Sequence, residues 1–326
     1  MIKNEMQIKI KSLLEGVSLR SLFQSSKQLS GEYRAREGGK ELRELEGKDH
    51  LLAYLAVRMP ATYAAICKTF FELQARLPHF SPRSLCDVGA GPGTCLWAAE
   101  QQFSEIQKIS LIERDERFIA VGKQLAEDLS LISKTRWIQE DMKKLSDGSS
   151  YDLVVAAYSI GELHEKDQIS VVDNLWKMTN QVLILIEPGT PLGFERLRTL
   201  RSHLLSQGAK MIAPCPHAST CPMAEGNWCH FYARLERSSL HRKIKEGERG
   251  FEDEKFSYLI VSKTEVALPS ARILRHPRKG KGHVKVDLCA ADGCQERIVT
   301  KKDRELYRIA RKSEWGDVFN MERESR

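Results

Sequence analysis

Apolar positions in the first 80 residues, Ile8, Leu13, Leu14, Leu22 and Leu29 among them, recur at mixed three- and four-residue steps between charges. That spacing predicts helices. Gly31 and the charged stretch through Lys48 interrupt the pattern, which resumes from Asp49 with Leu51, Leu52, Leu55 and Val57 until Pro60 breaks or restarts it. From Ser84 the rhythm changes to short apolar runs at 85–88, 109–112, 137–138, 153–157 and 182–186, each followed by a helical stretch. Such alternation predicts βαβ units and a parallel sheet covered on both faces, an α/β fold. Further along, the pattern predicts a helix at 195–207, a cysteine-bearing insertion at 214–253 and a late strand of the same sheet at 256–261. Strands at 283–288 and 296–300 close the chain. The expected organisation is an N-terminal helical region (1–80), an α/β domain (81–265) and a small basic β-rich appendage (266–326).

Composition narrows this picture. Of 326 residues, 41% are hydrophobic and 29% charged, and the longest strongly apolar run, 182–186, is far too short for a bilayer span, so no membrane partner is expected. The net charge of +7 permits attraction to nucleic acid. Eight cysteines are too few for a disulfide scaffold of this length, and the opening residues include Glu5 and no apolar core of a signal peptide. An intracellular, reducing setting is expected, where clustered cysteines suggest metal.

The run Leu85, Cys86, Asp87, Val88, Gly89, Ala90, Gly91, Pro92, Gly93 sets glycines directly after an apolar strand and before a helix. They permit a tight turn and close backbone approach, so a ligand can lie over the carboxyl end of the first strand. A dinucleotide fingerprint wants G-x-G-x-x-G, whereas this is G-x-G-x-G with Asp87 two residues earlier, and no lysine follows for a P-loop. The pattern resembles motif I of class I S-adenosylmethionine-dependent methyltransferases, with their Rossmann-like sheet. Glu113 ends the second run where an acid reaches ribose hydroxyls in nucleoside-binding folds, with Asp115 as competitor. Asp141 ends the third run and resembles the acid that meets the adenine amino group in that superfamily; a helix N-cap is its alternative role. After the fourth strand, amino-methylating members often carry Asn or Asp, then Pro-Pro and an aromatic. Here the chain reads Ala156, Ala157, Tyr158, Ser159, Ile160, Gly161, so no catalytic residue is assigned. Tyr158 or Ser159 is expected to border the methyl-transfer site, with packing as the alternative role of either. Cys67, Cys86 and Cys95 are expected as small core residues.

Cys215, Cys221 and Cys229 follow a C-x5-C-x7-C spacing through a Pro-rich loop. No helix face holds that spacing, so the sulfurs converge only if the loop wraps around something. Soft thiolates select zinc or an iron–sulfur cluster, each with four ligands. Cys289, Cys294, His217 and His230 are candidates for the fourth position, and the absence of C-x2-C knuckles favours a cluster. Basic tracts flank the loop: Arg234, Arg237, Arg242 and Lys243 on one side, and Arg275, Arg278, Lys279 and Lys281 in an acid-free stretch on the other. This arrangement predicts contact with RNA phosphates.

Together these features resemble the mitochondrial and bacterial ribosomal small-subunit methyltransferase-like family, whose members assist small-subunit assembly. The resemblance rests on Tyr33-Arg34, Ala53-Tyr54, the run from Arg58 to Tyr63, Asp87 to Gly93, Glu187 to Pro191, Trp228-Cys229-His230-Phe231, Glu254 to Tyr258, and Gly282 to Cys289. It implies S-adenosylmethionine binding, contact with rRNA of a pre-assembled small ribosomal subunit, and a [4Fe–4S] cluster on Cys215, Cys221, Cys229 and Cys289, with Cys294 left over. An active rRNA methyltransferase with a structural zinc is the alternative. The N-terminus is not the Arg/Ser-rich, acid-poor leader of mitochondrial import, so a bacterial cytoplasmic location is expected over the mitochondrial matrix. No feature of the chain fixes its oligomeric state, and a monomer is expected.

Overall fold

The computed structural model describes residues 2–37, 47–145, 148–237, 242, 244 and 250–320. Lys243 and most of the charged stretch before Lys48 lie outside them. The N-terminal region is helical, with α1 (Ile2–Leu13), α2 (Leu19–Glu37), α3 (Lys48–Ala53), a π-helical turn (Tyr54–Arg58) and α4 (Met59–Arg76). Pro60 does not break the helix: the π-helical turn runs directly into α4, whose first turn holds Pro60, with helical backbone on both sides of the junction.

The α/β part alternates as its apolar runs predict except after the run at 137–138, where among the described residues a short 3-10 turn (Met142–Lys144) stands in place of a helix: β1 (Ser84–Val88), α5 (Thr94–Gln102), β2 (Lys108–Glu113), α6 (Glu116–Leu125), β3 (Thr135–Gln139), β4 (Tyr151–Ala157), α7 (Glu165–Lys177), β5 (Thr179–Pro188) and α8 (Pro191–Ser206). Three more strands follow, β6 (Lys210–Ala213), β7 (Phe231–Glu236) and β8 (Phe251–Ser262). The sheet order is β3-β2-β1-β4-β5-β8-β6, with β7 also on β8. Strands β1 to β5 pair in parallel, whereas β8 runs antiparallel to β5. On the far side of β8, β6 and β7 lie end to end: Met211 faces Val261 and Phe231 faces Phe256. The sequence-predicted insertion therefore divides into a loop at 214–230 and a strand pair that widens the sheet.

Alternate residues of each central strand enter different cores, as a doubly covered sheet requires. Leu153, Val155 and Ile184 pack with Met6, Ile10 and Phe70 of the N-terminal helices, so that region shares its core with the sheet. Val154, Leu183 and Leu185 pack with Val171 and Leu175 of α7 and Leu197 and Leu204 of α8. A smaller sheet follows, β9 (Ala271–Ile273), β10 (Arg278–Lys279), β11 (His283–Ala290) and β12 (Gly293–Thr300), with α9 (Arg304–Lys312). Val284, Val286 and Leu288 form its core with Leu306, Ala310 and Phe319. Among the described residues no helix is long and apolar enough to cross a membrane.

Candidate cofactor cleft and thiol centre

The parallel strands bring their carboxyl ends to one edge, and a cleft opens there. Gly89, Gly91, Glu113, Asp141 and Tyr158 all line it, and Asp87 and Gly93 flank its glycine turn. Gly89, Gly91 and Gly93 have φ of 74°, 54° and 76°, a region costly to other residues. A Cβ on Gly89 would meet Ser159 Cβ at 2.4 Å, whereas one on Gly91 would find only Tyr54 Oη, at 3.7 Å. The Gly91 N–H donates to Glu113 Oε2 at 2.8 Å and the Asp115 N–H to Oε1 at 2.9 Å, which fixes the Glu113 carboxylate beside the turn. Burial raises the Glu113 pKa, and those N–H groups oppose the rise. Asp115 is engaged elsewhere, capping α6 and pairing with Arg117 at 2.6 Å. Asp141 accepts from the Lys143 N–H at 2.9 Å, so it caps the following turn while it faces the cleft. Asp87 is only 3% exposed; burial, helped by the Glu113 charge, pushes its pKa up to about 8.

Tyr158 stands just past β4 with φ of 58°. Its hydroxyl donates to Glu254 Oε1 at 3.1 Å, and Arg58 approaches the same oxygen at 3.5 Å. Burial, then the Glu254 charge, holds the phenol well above its ordinary pKa. The N-terminal helices, β4 and β8 thus meet at one end of the cleft. Nothing local in the sequence marks Arg58 and Glu254, whose role comes from meeting across the sheet.

The cysteine loop leaves the sheet edge at Ala213 and rejoins it at Phe231, so Cys215 and Cys229 sit at its two feet. Cys215, Cys221, Cys229, Cys289 and Cys294 line one cavity, together with His217 and with Phe194, Leu197, Arg198 and Arg201, a single face of α8. Cys289 and Cys294 stand directly opposite in the β11–β12 hairpin, and Cys289 Sγ lies 3.6 Å from His217 Nε2. Two buried arginines bind these segments together. Arg201, 4% exposed, donates to the carbonyls of His217 and Ser219, each at 2.9 Å. Arg272, 1% exposed and opposite Cys289 in the β9–β11 register, donates to Pro214 O at 2.9 Å, Gly316 O at 2.8 Å and Glu72 Oε1 at 2.6 Å. Burial raises the Cys215 and Cys229 thiols, and nearby guanidinium charge counters it.

The donor set suits a thiolate-ligated centre, and the buried Arg201 Nε has no hydrogen-bond partner among the described residues. The thiols line a common cavity without forming a closed cage: among the described residues no three His, Cys, Asp or Glu side chains are arranged to hold an ion. Cys86 and Cys95 are buried in the cores as expected, and Cys67 is half-buried.

The basic tracts are less available than their counts suggest. Arg234 makes a two-pronged pair with Asp253 at 2.8 and 2.9 Å, and Arg237 meets Glu252 at 3.2 Å. Arg278 bridges Asp287 and Glu296, and Arg275 holds Asn227 and the Trp228 carbonyl. Arg242, Lys279 and Lys281 are exposed.

Strand order, the antiparallel strand beyond β5 and the glycine turn define a class I methyltransferase-type fold. The chain belongs to the mitochondrial small ribosomal subunit Rsm22 family, whose sequence profile matches residues 48–320. It is 32% identical over 290 residues to the human mitochondrial ribosome assembly protein METTL17, covering 82% of this chain and 62% of that protein. It is 23% identical to the mitochondrial ribosome assembly protein RSM22 of Saccharomyces cerevisiae, covering 82% of this chain and 66% of that one. The chain thus spans just under two thirds of the length of these relatives. Among solved structures, magnesium protoporphyrin IX methyltransferase from Synechocystis aligns at TM-score 0.44 and 13% identity, covering 73% of this chain and 94% of that one. The family and both relatives are described as mitochondrial, which overturns the expected bacterial cytoplasmic location. That expectation rested on leader composition alone, and a leader shares no physics with the folded part that the relatives have in common.

Proposed function

We propose that this chain binds S-adenosylmethionine in the cleft and acts in assembly of the small ribosomal subunit, with small-subunit rRNA as its partner. The carrying observation is Glu113, held beside Gly91 at the carboxyl ends of β1 and β2. Gly89 and Gly91 let the backbone approach the ligand, Glu113 receives its ribose hydroxyls and Asp141 its adenine amino group. When bound, the cofactor supplies a methyl group on a sulfonium. Tyr158, Glu254 and Arg58 occupy each other at the end of the cleft, in a chain without the amino-methylating tetrapeptide. This favours a cofactor that secures the N-terminal helices against the sheet over one consumed by turnover.

Cys215, Cys221, Cys229 and Cys289 would hold a [4Fe–4S] cluster that joins the loop to the β11–β12 hairpin, with Arg201 donating towards it. Iron and acid-labile sulfide on anaerobically purified protein test this: about four of each per chain is expected, and stoichiometric zinc in a colourless protein contradicts it.

Gradient sedimentation tests the role as a whole. The full chain is expected to co-sediment with immature small subunits, and Gly91→Arg to weaken that association. A wild-type chain that ignores these particles overturns the assembly role; repeated methylation of one rRNA nucleotide replaces it with an enzymatic one.

A further inference from the structure

We propose that α9 and the aromatic cluster beyond its end form a binding surface for single-stranded RNA, the helix following the phosphates and the aromatics stacking a base. This rests on the RNA-partner reading above and moves its main contact away from the tracts that the sequence singled out.

Charge availability carries the first half. Lys301, Lys302, Arg304, Arg308, Arg311 and Lys312 are all exposed, while Leu306 and Ala310 of α9 turn into the small core with Tyr307 half-buried against it. Among the described residues none of these six bases is ion-paired. Arg234 and Arg278 are different, since carboxylates already take their guanidinium forks. A phosphate reaching those two must displace a bidentate partner, whereas on α9 it displaces only water and counterions.

Aromatic geometry carries the second half. Trp315 comes three residues after Lys312, a span of at most about 11 Å. Its ring lies 5.1 Å from His276 and 5.5 Å from Tyr232, and those two are 5.2 Å apart. The Trp315 indole N–H donates to His230 O at 2.9 Å, which fixes the ring, and the Arg275 guanidinium lies 5.9 Å from its centroid. His276 is exposed, and Tyr232 and Trp315 are half-buried. Anchored, partly exposed rings beside a run of unpaired cationic side chains suit an unstacked nucleobase and the backbone that carries it. An acidic protein could use the charge but not the base-stacking geometry.

The test is fluorescence anisotropy of the full chain with a labelled single-stranded RNA oligonucleotide across a salt series, and with polyglutamate. The combined Arg304→Gln, Arg308→Gln, Arg311→Gln and Lys312→Gln variant is expected to bind RNA at least about tenfold more weakly, with a salt slope lower by about 3. Trp315→Ala is expected to lose about five- to a hundredfold at an unchanged slope, and Trp315→Phe to recover most of it. Arg234→Gln with Arg278→Gln is expected to change affinity by less than about twofold. Circular dichroism confirms that each variant is folded; all the charge substitutions are at exposed positions.

If wild type binds RNA and the α9 variant binds it equally well, the surface is wrong while the RNA reading stands. If wild type binds no RNA, the RNA reading falls and takes this surface with it. Polyglutamate bound as tightly as RNA, with the same loss in the α9 variant, makes the surface a site for acidic protein and overturns the proposal.

Discussion

The cofactor cleft and the thiol cavity are built by opposite means. In the cleft, Gly89, Glu113, Asp141 and Tyr158 each follow or end a strand of one parallel sheet, so topology brings them to the same edge. The thiol cavity joins a loop, one face of α8 and a hairpin from a second sheet, and no ladder of backbone bonds aligns all three. Two buried guanidiniums, through the carbonyls of Pro214, His217, Ser219 and Gly316, and an apolar cluster of Phe194, Met223, Leu274 and Cys289 do that instead. The framework of the first site should therefore survive loss of any one side-chain contact, while that of the second should depend steeply on its two buried arginines.

Arg272→Met breaks this contrast most severely. It leaves Glu72 and two carbonyls without their donor, and removing one partner of a buried pair costs about 3–5 kcal/mol. Urea denaturation should show that loss; a cost below about 1 kcal/mol would mean that the hairpin is held by other contacts. Next comes Gly89→Ala, which forces a positive φ and a contact with Ser159, at about 1–3 kcal/mol. Gly91→Ala has open space before its Cβ and should cost less in the same assay, so equal losses would contradict the geometry of the turn.

Asp87 sharpens the cleft side through pH. Its folded pKa is about 8 and its unfolded one about 4, so between these values the folded chain binds more protons. Its contribution is fully present below about pH 4 and is lost as pH rises through about 8. Unfolding free energy should fall between about pH 4 and pH 8 in wild type, level off above that, and flatten in Asp87→Asn. A wild-type curve that rises with pH would contradict the neutral, buried carboxyl. The smallest effect belongs to Thr190→Ala, which removes the α8 cap on the Gly193 N–H and should cost about 1 kcal/mol by thermal unfolding.

The same division explains what the sequence reveals. The central parallel strands announce themselves because a sheet covered on both faces needs unbroken apolar runs, and the glycine turn is contiguous. Strands β6, β9 and β10 run two to four residues, too few to show a period. In β7 the signal is present, with Phe231, Ala233 and Leu235 buried between Tyr232, Arg234 and Glu236, but the nearby cysteines and charges mask it. Helix α9 buries only Leu306 and Ala310, one pair four residues apart, with Tyr307 half-buried beside them. Charge pairing is invisible along the chain: Arg234 reads as free until β8 places Asp253 opposite it. The metal-type spacing of Cys215, Cys221 and Cys229 stands out locally, whereas Cys289 meets the loop from a distant hairpin, through Arg272 and His217.

Calorimetric titration of S-adenosylmethionine into the full chain tests the central claim most directly. One molecule should bind per chain, with Gly91→Arg abolishing binding and Glu113→Ala weakening it by at least about tenfold, as loss of hydrogen bonds to a charged group requires. No heat of binding in wild type, or equal affinity in wild type and Gly91→Arg, would contradict a cofactor site at the glycine turn.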